Sequence, residues 1–312
     1  MTVPIVYIDC SPMMRELCDE LARPDQLMLH EGDPSPEALA ALLSDAQIVL
    51  NGHTTMDAAL LSGVPNLRSI VFLGTGASSY VDMTAAERHD IRVRTVRNYG
   101  DRTVAEHAFG LLLSAARDVA RMDRDVRAGC WSAREGIELK GRTLGLLGLG
   151  GVGAEMARIA AAFGMRVIAW NRSGIPPDVP AESADLDTLL SMADAVSLHL
   201  ALVSETRGLL DSRRLARMKR GAILINTARG ALVDETALIE ALQTGHIGHA
   251  ALDVFTTEPL HEGHPLARLD NVTLTSHAGW KSRAASRRLL QLALDIAADD
   301  SCRLAAGQPL TI

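Results

Sequence analysis

Arg229, Glu258 and His277 each stand shortly past an apolar run of the sequence: Arg229 in AILINTARG, Glu258 in ALDVFTTEP and His277 in VTLTSHAGW. In an open α/β sheet, ligands bind outside the carboxyl ends of the strands, so all three fall where a site is expected. A guanidinium is permanently charged and fork-shaped, which suits a carboxylate and the carbonyl beside it. A carboxylate hydrogen-bonded to an imidazole favours imidazolium, giving a proton donor in one direction and a base in the other. Together the three suit reduction of a 2-oxo acid, in which hydride adds to a carbonyl carbon while a proton reaches its oxygen. Taken singly, each has an ordinary structural reading as a surface ion pair, a loop acid or a capping histidine. Their shared placement after successive strands is what gives the chemical reading its weight.

A donor of hydride needs a place to bind, and the stretch GLGGVG supplies a candidate in Gly148, Gly150, Gly151, Val152 and Gly153. It follows the apolar TLGLL and precedes the helix-like AEMARIAAAFG and the apolar RVIAW, giving the order strand, glycines, helix, strand. Missing side chains let the backbone turn tightly and approach a pyrophosphate, while helix N-terminal amides contribute partial positive charge. Methyltransferases use similar loops, so the motif alone does not name the ligand. After RVIAW come Asn171, Arg172 and Ser173, where an NAD-binding fold often places an acid to hold the ribose hydroxyls. A cation there would instead attract a 2′-phosphate, with Asn171 and Ser173 adding hydrogen bonds, which favours NADP over NAD. Arg172 as a plain solvated loop residue remains the alternative.

These residues must be held by a larger frame. The runs IVYID, QLMLH, QIVL, LRSIVFLG and IRVRTV alternate with helix-like segments over the first hundred residues. The later runs TLGLLG, RVIAW, AVSLHL, AILIN, HAALDVF and VTLTS make six further strand candidates. That rhythm predicts an α/β fold with two parallel-sheet domains, the second a Rossmann dinucleotide-binding domain. One long helix is expected over 103–129, ending at Gly129, and another over 282–307. The latter would return to the first domain, so the expected boundaries are 1–99 plus 282–312 for the substrate domain and 100–281 for the dinucleotide domain.

Bulk composition narrows the partners. In 312 residues, 47% hydrophobic and 22% charged composition fits well-packed globular domains. A net charge of −7 argues against a broad nucleic-acid or anionic-membrane surface, leaving local basic pockets open. Cys10, Cys18, Cys130 and Cys302 are scattered, without zinc or disulfide-framework spacing, which points to a reducing cytoplasm. No signal-peptide pattern opens the chain, and glycines and charges interrupt the apolar stretch 144–170, a poor membrane span. HEGH places His261, Glu262 and His264 close together, but Gly263 and Pro265 suggest a loop, and no metal is expected. His30, His53, His89, His246 and His249 gain no role from their positions.

The motifs TVAEHAFGLLL, ELKGRTLGLLGLGGVG, SLHLALVSETRGLL, INTARGALVDE, ALDVFTTEPL and TSHAGW together resemble the D-isomer-specific 2-hydroxyacid dehydrogenase family over most of the chain. The resemblance implies that Arg229, Glu258 and His277 are the catalytic set, in a cleft between a Rossmann dinucleotide-binding domain and a smaller flavodoxin-like substrate domain, with NADP or NAD as cofactor. It implies a small 2-oxo acid as substrate and a homodimer built on the nucleotide domain. It places Asp253 near the nicotinamide carboxamide, Thr227 and Ala228 beside the ring, and His199 near the adenosine. Gly74, Thr75 and Gly76 in LGTGA become a substrate-carboxylate loop, an anion nest that is equally readable as an ordinary glycine turn. Trp280 is similar to a residue of members acting on glyoxylate or hydroxypyruvate and would wall the substrate pocket, or else pack a helix start. The family often has prolines where Ala201 and Ser204 stand, so the loop after His199 is expected to differ in shape. A dinucleotide-sensing corepressor on the same scaffold, and the same reaction with NAD and a bulkier 2-oxo acid, are the alternatives.

Overall fold

Short apolar runs alternating with capped helices produce two all-parallel sheets in the computed structural model, which describes residues 3–310. The chain divides into two units, 1–100 with 282–312, and 101–281. Gly100 thus falls with the first unit, one residue from the expected border.

The first unit holds strands β1 (Ile5–Cys10), β2 (Leu27–Glu31), β3 (Ile48–Asn51), β4 (Ser69–Phe72) and β5 (Arg92–Thr95), in the order β2-β1-β3-β4-β5. This 2-1-3-4-5 sequence is the flavodoxin-like arrangement. Every residue of β1, β3 and β4 is buried, as expected for central strands covered by helices on both faces. The covering helices α1 (Pro12–Glu20), α2 (Pro36–Leu43), α3 (Ala58–Ser62) and α4 (Met83–Arg88) start at Ser11, Ser35, Asp57 and Asp82. Each of those side chains accepts an amide three residues on, removing an orphan donor of the first turn.

The second unit opens with α5 (Asp101–Ala116) and α6 (Val119–Arg127). The single helix expected over 103–129 is therefore two. Asp118 takes a left-handed φ of 55°, which Asp tolerates better than most residues. The Ala116 carbonyl that would continue α5 accepts the amide of Ile137 instead. Its apolar periodicity had a further limit: α5 buries seven residues and α6 buries none, so no packing carries the helix straight on.

Beyond these lie β6 (Thr143–Leu147), α7 (Gly151–Ala162), β7 (Arg166–Trp170), β8 (Glu182–Ser183), α8 (Leu186–Met192), β9 (Ala195–Leu198), α9 (Ser212–Arg217), β10 (Ala222–Asn226), α10 (Glu235–Gln243), β11 (Ile247–Leu252) and β12 (Val272–Leu274). The sheet order β12-β11-β10-β9-β6-β7-β8 reverses direction between β6 and β9, as a Rossmann sheet does. It has seven strands where six were expected, because the two residues of β8 are too few to leave a periodic signal. The register sets Leu147 beside Trp170 and Leu198, Asn226 beside Leu198 and Leu252, and Leu252 beside Leu274. The carboxyl ends of these strands are therefore level, and their following loops open on one edge.

The last helix, α11 (Arg283–Ala305), belongs to the first unit. Its buried Asp300 accepts Ser69 Oγ at 2.6 Å and Arg94 Nη1 at 2.8 Å, tying the helix to β4 and β5.

Candidate active site

At the phosphate loop each glycine answers a different demand. Gly148 adopts φ +97°, and a Cβ there would lie 2.5 Å from the His199 carbonyl oxygen. Gly153 lets α7 close on the strand, since its Cβ would sit 2.2 Å from the Gly148 oxygen. At Gly151 a Cβ would run into the Asp101 carboxylate. Gly150 is different: a Cβ there meets no protein atom within 4 Å, which leaves open space over the first turn of α7. That open cradle at a helix N-terminus fits a pyrophosphate.

Asn171 is largely committed to holding this loop. Its Oδ1 accepts the Leu149 amide at 3.2 Å, and its Nδ2 donates to the Gly174 carbonyl at 2.6 Å and Ser173 Oγ at 3.3 Å. Arg172 and Ser173 are exposed at the same turn. Glu205, in the loop after β9, has its carboxyl held below the usual range by its own backbone amide and Ser204, with Arg172 adding a lesser attraction. His199 Nε2 lies 3.0 Å from Ser197 Oγ, and burial pushes its imidazole down to about 4, so the ring is neutral near pH 7.

After β10, the buried Asn226 shapes the turn that presents Arg229. Its Oδ1 accepts the Ala228 amide at 3.0 Å, and its Nδ2 donates to the Arg229 carbonyl at 2.9 Å. The half-buried Arg229 donates from Nη1 to the Ala228 carbonyl at 2.6 Å. Thr227 Oγ1 is buried and, among the described residues, has no hydrogen-bond partner, as a group awaiting a ligand would. Gly230 was not singled out from the sequence. A Cβ on it would lie 2.0 Å from the Phe255 carbonyl carbon, so its absence lets the Arg229 turn pack on the loop after β11.

That loop carries Glu258, whose Oε1 accepts the Phe255 amide at 2.9 Å and whose Oε2 lies 2.7 Å from His277 Nδ1. The expected Glu–His pair is formed, and Gly230 and Phe255 bring the Arg229 turn to it. His277 itself holds a left-handed φ of 50°, a conformation costly for this residue type unless its surroundings enforce it. Asp253 enforces it: its carbonyl accepts the His277 amide at 2.8 Å, and its carboxylate accepts the Ala278 and Gly279 amides, both at 2.9 Å. Burial would raise the Asp253 carboxyl, but hydrogen bonds from His107, Thr275 and those amides outweigh it and hold it at about 2. Asp253 is thus buried and engaged with the His277 turn. The half-buried Trp280 follows, with Lys281 Nζ 5.9 Å from its ring centroid.

In the first unit, Gly74 has φ +151°, the amides of Thr75 and Gly76 have no protein acceptor among the described residues, and Gly76 starts a short 3-10 turn. His264 of HEGH accepts the Leu266 amide and approaches Glu235 at 3.3 Å, and no cluster able to hold a metal occurs among the described residues. No described helix is long and apolar enough to cross a membrane.

Residues 109–279 match the family model for the D-isomer specific 2-hydroxyacid dehydrogenase, NAD binding domain. The chain belongs to the D-isomer-specific 2-hydroxyacid dehydrogenases. It is 35% identical to a glycerate dehydrogenase of Methylorubrum extorquens across 100% of this chain and 99% of that one. It is 38% identical to a glyoxylate reductase of Aeropyrum pernix over 90% and 84% of the two chains. Among solved structures it resembles an acyclic imino acid reductase in complex with NADPH and D-Arg, with TM-score 0.82 and 27% identity over 99% of each chain. This family member is an oxidoreductase using a nicotinamide dinucleotide and a small 2-hydroxy or 2-oxo acid.

Proposed function

We propose that the protein is a reductase of short 2-oxo acids such as glyoxylate and hydroxypyruvate, preferring NADPH, with Arg229, Glu258 and His277 as its catalytic residues. The observation that carries the reading is the Glu258–His277 contact of 2.7 Å on the same sheet edge as the phosphate loop. The cofactor would be held by Gly148, Gly150, Gly151, Val152 and Gly153, with Arg172 and Ser173 at the 2′-phosphate, His199 toward the adenosine, and Thr227, Ala228 and Asp253 toward the ring. Asn171 supports that site chiefly through its bond to Leu149. A nicotinamide bound there supplies hydride transfer to or from the substrate carbon.

Arg229 grips the substrate carboxylate and polarises the adjacent carbonyl. His277, with Nδ1 committed to Glu258, has Nε2 left to deliver a proton to the carbonyl oxygen or to take it from the hydroxyl. Glu258 fixes the ring orientation through its contact with Nδ1, while the Phe255 amide holds Glu258. Gly74, Thr75 and Gly76 form a carboxylate-binding loop of the first unit, and Trp280 favours a small substrate side chain. Unit 101–281 is the dinucleotide domain and the other unit the substrate domain, in a cytoplasmic homodimer. Exposed Val119, Val126 and Trp131 offer apolar surface for the second copy.

Two features support NADPH: the turn directly after β7, Asn171 to Gly174, holds no carboxylate, and Arg172 is exposed in it. The relatives named above as glycerate dehydrogenase and glyoxylate reductase support the substrate class. A kinetic matrix of NADH and NADPH against glyoxylate, hydroxypyruvate, pyruvate and bulkier 2-oxo acids tests the reading. Short acids with NADPH are expected to give the highest kcat/KM, and Arg172→Asp should reverse the cofactor preference. Higher kcat/KM with NADH, or no change in preference on replacing Arg172, would refute the cofactor assignment.

A further inference from the structure

His107 lies on α5, distant in sequence from every candidate catalytic residue, yet it reaches the turn that carries His277. Its Nε2 is 3.1 Å from Thr275 Oγ1 and 3.3 Å from Asp253 Oδ1. Thr275 Oγ1 donates to the same Asp253 oxygen at 2.5 Å. Asp253 in turn accepts the amides of Ala278 and Gly279. A Cβ on Gly279 would sit 3.0 Å from Asp253 Oδ2 and 3.4 Å from His107 Cδ2, so the turn is packed against both side chains.

We infer that His107 is a positioning residue for the proposed reaction: with Asp253 and Thr275 it clamps the 275–279 turn and thereby aims His277 at the substrate oxygen. The physical case rests on three points. First, His277 occupies a left-handed conformation, which persists only where surrounding bonds determine it. Second, those bonds converge on one carboxylate, with Thr275, Ala278 and Gly279 all donating to Asp253. Third, that carboxylate is buried, and a buried anion keeps its orientation only while its lone pairs are met by donors. His107 meets it from a different element, so the clamp is anchored to α5 rather than to its own loop. Neither His107 nor Thr275 touches the proposed reacting groups, so their effect passes through Asp253 and the turn it holds.

The inference rests on the proposed catalytic role of His277, and its test separates the two. In His107→Leu, kcat is expected to fall about ten- to a hundredfold, the order of loss that follows a small misplacement of a catalytic group. The dissociation constant for NADPH, read by tryptophan fluorescence quenching, should stay within about twofold, because His107 lies off the phosphate loop and Asp253 keeps its bonds to Thr275, Ala278 and Gly279. Amide hydrogen exchange should quicken at Ala278 and Gly279 and stay unchanged along β6 and α7. His107→Gln places an amide nitrogen near the position of Nε2 and should recover most of kcat and of the exchange protection. His107→Asn, too short to reach Asp253, should behave as His107→Leu does, which keeps the test open if the leucine variant fails to fold. Wild-type kcat in His107→Leu or His107→Asn, loss of kcat with unchanged exchange at Ala278 and Gly279, or a glutamine variant as defective as the leucine one would overturn the inference. If the wild-type protein reduces no 2-oxo acid, the functional reading fails, while the exchange measurement still decides whether His107 holds the turn.

Discussion

Replacing Gly230 by alanine adds one methyl group where two loops of the site meet. The new carbon would lie 2.0 Å from the Phe255 carbonyl carbon, 2.3 Å from its oxygen and 2.4 Å from the Thr256 nitrogen. All three are backbone atoms, so no side-chain rotation relieves the overlap. Ordinary contact begins at 3.4 Å, which requires roughly 1.4 Å of separation between the Arg229 turn and the Phe255 segment. Phe255 holds Glu258 through its amide, and Glu258 holds His277, so the movement disperses the whole catalytic set. Overpacking of this kind costs about 1–3 kcal/mol of stability, or about 2–4 °C in Tm per kcal/mol for a unit of this size. A misplacement of order 1 Å costs about a hundredfold in turnover. The assay is steady-state reduction of glyoxylate beside a thermal melt, with Gly150→Ala as the contrasting variant. A Cβ at Gly150 meets no protein atom, so that variant should lose no more than about 1 kcal/mol of stability and lose its affinity for the dinucleotide instead. Wild-type kcat/KM and Tm in Gly230→Ala would refute the packing argument. Unchanged dinucleotide affinity in Gly150→Ala would refute the assignment of the cradle.

The buried His249 is pushed down to about 4, chiefly by burial, from an ordinary 6.5. The unfolded chain therefore takes up a proton between pH 6.5 and 4 that the folded chain refuses, and stability is full above 6.5 and falls as the pH drops through that window. His249→Asn should remove about 3 kcal/mol of this acid-side loss, read from urea unfolding at pH 7, 5.5 and 4.5; an identical pH slope in the variant would contradict the account. Asp300→Ala strips Ser69 and Arg94 of their buried acceptor. It should cost about 2–3 kcal/mol, the low side for a broken buried pair, because Arg94 retains 23% side-chain exposure. A loss under about 0.5 kcal/mol in guanidinium unfolding would show that α11 is held by its apolar face alone.

Much of the architecture was legible because the central strands of a parallel sheet, covered on both faces, are mostly apolar. IVYID, RVIAW and AILIN announce themselves without reference to anything else. The glycines of GLGGVG and the post-strand positions of Arg229, Glu258 and His277 were readable for the same reason: the parallel fold puts those loops on one edge whatever the remaining chain does. Three things were decided only in three dimensions. The break after Ala116 depends on Ile137 capturing a carbonyl, and the periodicity of α5 carries no trace of that bond. The need for glycine at 230 comes from backbone 25 residues later, as its Cβ distance to Phe255 shows. The clamp on His277 joins His107, Asp253 and Thr275 from separate elements. Local sequence fixes propensity and face, which act over a few residues; the aim of a catalytic side chain is set by hydrogen bonds and close contacts between segments far apart in the chain, and those exist only once the sheet has formed.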